Sequence, residues 1–295
     1  MTEFKFAKRR DFSSVINAAF EFFKQEGLQF SKVLFTYTGI PIIIMIACIM
    51  YFVMQAVNGQ FAALDNSPDI STVIGFITQI FVIIALGTIV QIMVMAISYG
   101  YMKLYHEKGT GGFSPSELGQ LIVRKFFPII GYTIVISILI TIGFMFFILP
   151  GIYFMIILSL IFPIMFIENK GLSKNFNRCF QVIKDNWWIT FAILLVASII
   201  VGFVGGIVSI PLQFYIQFKI PTIIQSGGDW SQLNIPFVVI SYILLIVLST
   251  YLRSFVYIVT GIQYFSLSEK DGSSTIMDRI NQIGEEENKE SGSKE

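Results

Sequence analysis

The sequence predicts an all-α membrane protein of six transmembrane helices, arranged as three hairpins, each preceded by a cytoplasmic amphipathic interfacial helix. Three observations carry that expectation. Hydrophobic residues fill 55% of the 295 positions and charged residues only 13%, about half the charged share of a soluble domain. Mean hydropathy is +0.73, and apolar runs long enough to cross about 30 Å of hydrocarbon recur six times. Lysine and arginine gather in alternate connecting segments, the pattern that orients bacterial inner-membrane proteins.

The runs read as 33–57, 73–101, 127–148, 150–167, 187–211 and 236–260. The third and fourth lie in a stretch without charge from Phe126 to Ile167. Roughly 60 Å of helix cannot fit one crossing, so a break is required. Pro150 and Gly151 supply it: proline removes a helical hydrogen bond and glycine permits a turn. The spacing therefore predicts a tight hairpin there.

Orientation follows from the basic residues. Lys5, Lys8, Arg9, Arg10, Lys24 and Lys32 precede the first run. Lys103, Lys108, Arg124 and Lys125 lie between the second and third, and Lys170, Lys174, Arg178 and Lys184 between the fourth and fifth. Arg253 and the tail complete nineteen of the twenty on one side, leaving Lys219 on the other with Asp65, Asp69 and Asp229. Six spans with both termini in the cytoplasm satisfy this asymmetry. The polar, basic start has no apolar core of a cleavable leader, so targeting is expected to fall to the first span. Trp187 and Trp188 are expected at the inner interface, and Trp230 in an outer loop.

Each odd-numbered span follows an amphipathic segment. Phe12, Val15, Ile16, Ala19, Phe20 and Phe23 recur at helical spacing before the first. Ser114-Pro115-Ser116-Glu117 is a capping box with proline at the first helical position. Leu118, Leu121 and Ile122 follow it, and Leu172, Phe176, Phe180 and Ile183 precede the fifth span. The segments align without gaps: Phe12, Phe113 and Leu172; Ser13, Ser114 and Ser173; Phe20, Leu121 and Phe180; Lys24, Lys125 and Lys184. Residues 1–267 thus read as one polytopic domain of pseudo-repeats 12–102, 113–168 and 172–267. Surface helices at about 12–25, 114–125 and 173–184 are expected flat at the cytoplasmic face, or else as a collar beneath the bundle. Residues 268–295 read as a cytoplasmic tail. A short amphipathic helix on Ile276, Met277, Ile280 and Ile283 precedes a disordered end from about Gly284.

Chemistry is sparse. Cys48 and Cys179 fall at different depths and read as packing residues; a single histidine, His106, leaves no zinc cluster. Gly109-Thr110-Gly111-Gly112 lacks the lysine of a phosphate loop. No catalytic motif, metal site or cofactor site is expected, and no nucleic-acid partner. Arg253 is the one ionisable residue well inside a span. It either snorkels to headgroups or pairs with Glu168. Gln79, Gln91, Thr133, Ser137, Thr141, Ser241, Ser249 and Thr250 either bond neighbouring helices or line a cavity. Gly202 and Gly206, with Gly205, form a small-residue face for close helix packing.

Leu149-Pro150-Gly151-Ile152-Tyr153, Phe162-Pro163-Ile164 with Glu168, and Lys184-Asp185-Asn186-Trp187-Trp188 carry a resemblance. The chain resembles a wide group of bacterial membrane proteins that includes the membrane domain attached to some glycerophosphodiester phosphodiesterases. Ile262-Gln263-Tyr264-Phe265-Ser266-Leu267, with Ile280 to Gly284, is similar to a Bacteroidota branch of it. The resemblance implies a membrane module. The phosphodiesterase barrel and its metal-binding acids have no counterpart, so no activity carries over. Two expectations of function follow. The first is a non-catalytic inner-membrane module that interacts with or assembles another membrane protein or complex in the bilayer. The alternative is a transporter or lipid-handling protein. A dry, fully packed bundle with a broad apolar flank favours the first and a polar cavity open to one side the second; a membrane enzyme is a distant third.

Overall fold

The computed structural model describes residues 4–55, 70–226 and 232–292. The expected outer positions Asp65, Asp69, Asp229 and Trp230 lie outside the described residues. Eight α-helices form among those described: α1 Phe12–Gln55, α2 Ile70–Lys108, α3 Pro115–Phe146, α4 Ile148–Leu158, α5 Ile161–Ile167, α6 Leu172–Ile183, α7 Trp187–Gln225 and α8 Ile235–Gly292. Six stretches are long and apolar enough to cross a membrane, the fourth being α4 and α5 together over 20 residues. This is a multi-pass α-helical membrane protein.

The breaks in the fourth stretch have a common cause. Proline has no N–H for the carbonyl four residues back, and its ring clashes with that carbonyl. Pro150 leaves Phe146 without its donor, and α3 ends at Phe146; Phe147 is extended at φ −166°, ψ 160°. Pro163 leaves Ser159 without its donor, and α4 ends one residue before Ser159. The expected break thus falls at Phe147, three residues before Pro150, which sits in the first turn of α4 where an N–H is dispensable. Gly151 serves a different purpose from the one expected. A Cβ on it would lie 2.5 Å from the Phe144 ring, and one on Gly143 would lie 3.0 Å from the Gly151 Cα. Glycine therefore lets α4 lie tightly against the end of α3.

The packed core gathers at one end of the bundle, here termed the basic end. The start of α1, the end of α2, the start of α3, α5, α6, the start of α7 and residues 254–267 of α8 meet there. Phe6, Phe22, Phe30, Tyr101, Phe166 and Tyr264 are among its largest fully buried side chains. Phe22 packs edge-on to Tyr101 and Phe4, and Phe6 stacks on Phe265 at 5.7 Å. Such pairs add about 0.5–1.5 kcal/mol each beyond area burial. The segment before α1 is pinned by Arg10, whose N–H donates to Ser266 Oγ at 2.8 Å. At the far end the faces open: Ile43, Phe81, Phe146, Leu149, Phe203 and Ile240 are exposed.

The amphipathic segments do not behave alike. Residues 12–25 run into the first span as one 44-residue helix, and 114–125 into the third as one of 32. Neither helix ends at Lys24 or Lys125; the one from Pro115 runs on even through Pro128, which leaves the Arg124 carbonyl without its helical donor. Only α6 is separate. It stops at Lys184 because Asp185 takes φ 64° before α7 begins. The caps also break the gap-free register. They are Asp11, which accepts from Ser14 N–H, then Ser114, which accepts from Glu117 N–H, then Gly171. Glu117 pairs with Lys108, so the reciprocal half of the capping box is traded for a tether to α2. Beyond residue 267, α8 remains helical to Gly292, past the expected start of disorder near Gly284.

Candidate functional site

Four helices turn a polar group toward one open cleft, in which Thr88, Ser198, Ser249 and Arg253 are exposed. On α8, Ser249, Arg253 and Tyr257 are spaced by four, so they share a face. On α2, Thr88 and Gln91 face them, and Gln91 Nε2 donates to the Tyr257 hydroxyl. Ser198 on α7 and Thr133 on α3 close the ring. Most of the hydroxyls are spent on their own helices: Thr88 Oγ1 on Ile84 O at 2.9 Å, Thr250 Oγ1 on Ile246 O at 2.7 Å. Thr133 Oγ1 is buried without a hydrogen-bond partner.

Three adjoining cavities meet at Gln91. One, of about 460 Å³, lies among α2, α3, α4, α5, α7 and α8 and is walled by Met95, Met155, Phe162, Phe191 and Leu194, with Thr133 on its surface. A second, of about 400 Å³, is smaller and more polar, with Thr88, Ser249, Thr250 and Arg253 around it. The third, of about 640 Å³, runs between α7 and α8 past Gly202, Ser249, Arg253 and Tyr257. Small-molecule pockets span about 300–1,000 Å³ and are mostly apolar with a few placed polar groups.

Arg253 is the charge of this site. Tyr257 meets Tyr99, and Gly261 meets Met102, so Arg253 lies opposite α2 position 94 or 95. That is about 12 Å along the helix from the level of Lys103. A charge inside a span is costly, most at the bilayer centre and less toward the headgroups. Of the two alternatives for Arg253, the pair with Glu168 is not formed, and among the described residues no ion pair involves Arg253. Glu168 lies toward the basic end, taken by other partners: its carboxylate accepts from Arg178 Nε at 2.9 Å, Tyr264 OH at 2.8 Å and Lys170 Nζ at 2.7 Å. Arg178 also holds Asp271 at 2.6 Å, tying α5, α6 and α8 together. Burial alone would raise the Glu168 carboxyl. The bonds from Lys170, Arg178 and Tyr264 outweigh it and hold Glu168 below the usual range.

The close helix contact expected of Gly202 and Gly206 is also not made. Neither has an atom within 4 Å of where a Cβ would stand; Gly205 alone approaches Leu252, at 3.8 Å. The helices α7 and α8 touch at Thr190 and Gln263, bonded at 3.0 Å, and between Gly202 and α8 lies the largest of the three cavities.

Two buried charges escaped the sequence reading. Glu26 is 6% exposed and accepts from Tyr101 OH at 2.9 Å. Lys125 is 9% exposed and donates to Met165 O at 3.2 Å and Asn169 Oδ1 at 2.5 Å, capping the end of α5 where a cation is favoured. A signal was present for both. Ala19, Phe22, Glu26, Phe30 and Val33 form one helical stripe, as do Leu118, Ile122, Lys125, Ile129 and Tyr132. A charge inside an apolar stripe is a buried charge. No protein family, curated protein or solved structure matches this chain.

Proposed function

We propose that this protein handles a bilayer amphiphile, which it holds in the cavities between its spans. The observation that carries the reading is the set of adjoining cavities around Gln91, with an apolar compartment on one side and polar groups on the other. This cleft supports the lipid-handling reading over that of a dry assembly module. No catalytic step is part of the proposal. The basic end belongs in the cytoplasm of a bacterium on the strength of the lysine and arginine asymmetry. On this reading the spans pair as three hairpins, with α6 the one free-standing interfacial helix.

The test is purification in mild detergent from the native host, followed by lipid extraction and native mass spectrometry. A stoichiometric amphiphile is the expected result. A lipid-free chain recovered with a stoichiometric protein partner would overturn the reading in favour of the assembly module. Topology is checked by cysteine labelling from the periplasm, which should mark positions within 58–72 and 222–234 and spare 108 and 174.

A further inference from the structure

We propose that the cavities select an anionic amphiphile, its headgroup bound by Arg253 and Gln91 and its acyl chain lying among Met95, Met155, Phe162 and Leu194. This rests on the lipid-handling reading and names the ligand class of that same site. The first step of the argument is charge. Arg253 sits about 12 Å along the helix from the level of Lys103, and no carboxylate lines any of the three cavities. A cation held in a low-dielectric belt draws an anion as its partner. Here the protein supplies space instead of a carboxylate.

Shape is the second step. The compartment beside Arg253 is polar, with Thr88, Gln91, Ser249 and Thr250 around it. The neighbouring one is walled by methionine, leucine and aromatic side chains. Gln91 and Thr88 belong to both, so a molecule lying across them places one polar end and one apolar end. Guanidinium matches a phosphate or carboxylate group through paired N–H donors. The Gln91 amide donates to Tyr257, which holds its plane against the cavity wall. A zwitterionic lipid brings its own cation to Arg253, and a free inorganic anion fills none of the apolar compartment.

The experiment uses the full chain in detergent micelles, loaded from an equimolar mixture of phosphatidylglycerol and phosphatidylcholine and read by native mass spectrometry. The wild-type chain should retain phosphatidylglycerol about ten-fold over phosphatidylcholine, the scale of one charge-assisted hydrogen-bonded contact. Arg253→Gln should bind the same total lipid with the preference gone, and Arg253→Lys should keep part of it. Leu194→Trp, which fills the apolar compartment, should lose both lipids. Inorganic phosphate alone should not displace the lipid. Equal retention of the two lipids by the wild type, or an unchanged preference in Arg253→Gln, would overturn the headgroup assignment and leave the lipid-handling reading standing. Absence of both lipids from the folded wild type would overturn both the headgroup assignment and the lipid-handling reading. Size-exclusion profiles that match the wild type show each variant to be folded.

Discussion

The two ends of the bundle are built from the same helices and pack by different rules. At the basic end, residues 90–105 of α2 and 254–267 of α8 are almost continuously buried, among aromatic rings and bonded polar groups. At the far end the same helices expose Phe81, Ile84, Ile240 and Leu244. Helix length explains the contrast. At 1.5 Å per residue α1 measures about 66 Å, twice the hydrocarbon thickness of about 30 Å. Its uncharged part, residues 33–55, is enough to cross; the part with Lys24, Glu26 and Lys32 stands at or beyond the headgroups. There water drives apolar groups together. Among lipid tails that drive is absent, and helices adhere only through close packing and hydrogen bonds. The cavities lie where one regime gives way to the other.

The comparison is broken most directly by paired truncations. Phe22→Ala at the basic end should cost about 3–5 kcal/mol, while Phe81→Ala at the far end should stay within about 0.5 kcal/mol. Both are read from unfolding midpoints in mixed micelles, and similar losses would dissolve the distinction.

Removing the carboxylate of Glu168 comes next. Glu168→Gln should cost about 1.5–3 kcal/mol near neutral pH, since it weakens hydrogen bonds to charged groups. Because the folded carboxyl is held low, its contribution is full above the ordinary glutamate range and disappears as pH falls through the lowered value. Below about pH 4.3 the stability of the wild type should therefore approach that of the variant. A gap that does not narrow as the pH falls would contradict this.

Glycine substitutions sharpen the contrast at single positions. Gly151→Ala drives a methyl into the Phe144 ring and should cost about 1–3 kcal/mol. Gly202→Ala meets open space and should leave the unfolding midpoint unchanged or slightly raised.

The smallest signal concerns Cys179. Burial pushes its thiol up to about 12, and only the thiolate reacts. Maleimide at pH 8 should leave it unmodified in the folded chain and label it after denaturation. Rapid labelling of the folded protein would mean that α6 does not lie on the core.

Six spans were legible because an apolar run has a length, and length is what a bilayer measures. The break in the fourth was legible as proline but misplaced, because proline acts on the carbonyl four residues behind it. The helix therefore ends at Phe146 and not at Pro150. The threefold alignment of Phe12, Phe113 and Leu172 reads side-chain type alone. The structure gives the three segments different caps and different burial: Phe20 is 49% exposed, while Phe180 is half-buried. Arg253 was found because it interrupts a long apolar run. Its partner was misjudged because tertiary placement gave Glu168 to Arg178. Gln91, Thr133 and Ser249 were visible as polar groups within spans, but spacing along single helices does not say that they converge.

The missing bond between Pro163 and Ser159 gives the fourth span a pivot. On one side α5 is anchored, with its end capped by Lys125 and Glu168 locked to Arg178. On the other side α4 contributes Met155 and Ile156 to the cavity wall, with Ser159 just beyond its end. A swing of α4 about that pivot would widen the chamber while the anchored arm stays still, so a guest could enter without loosening the core that holds the protein together. Pro163→Ala restores the donor and stiffens the joint. The resulting variant should keep its stability but exchange bound lipid more slowly, and an unchanged exchange rate would rule the pivot out.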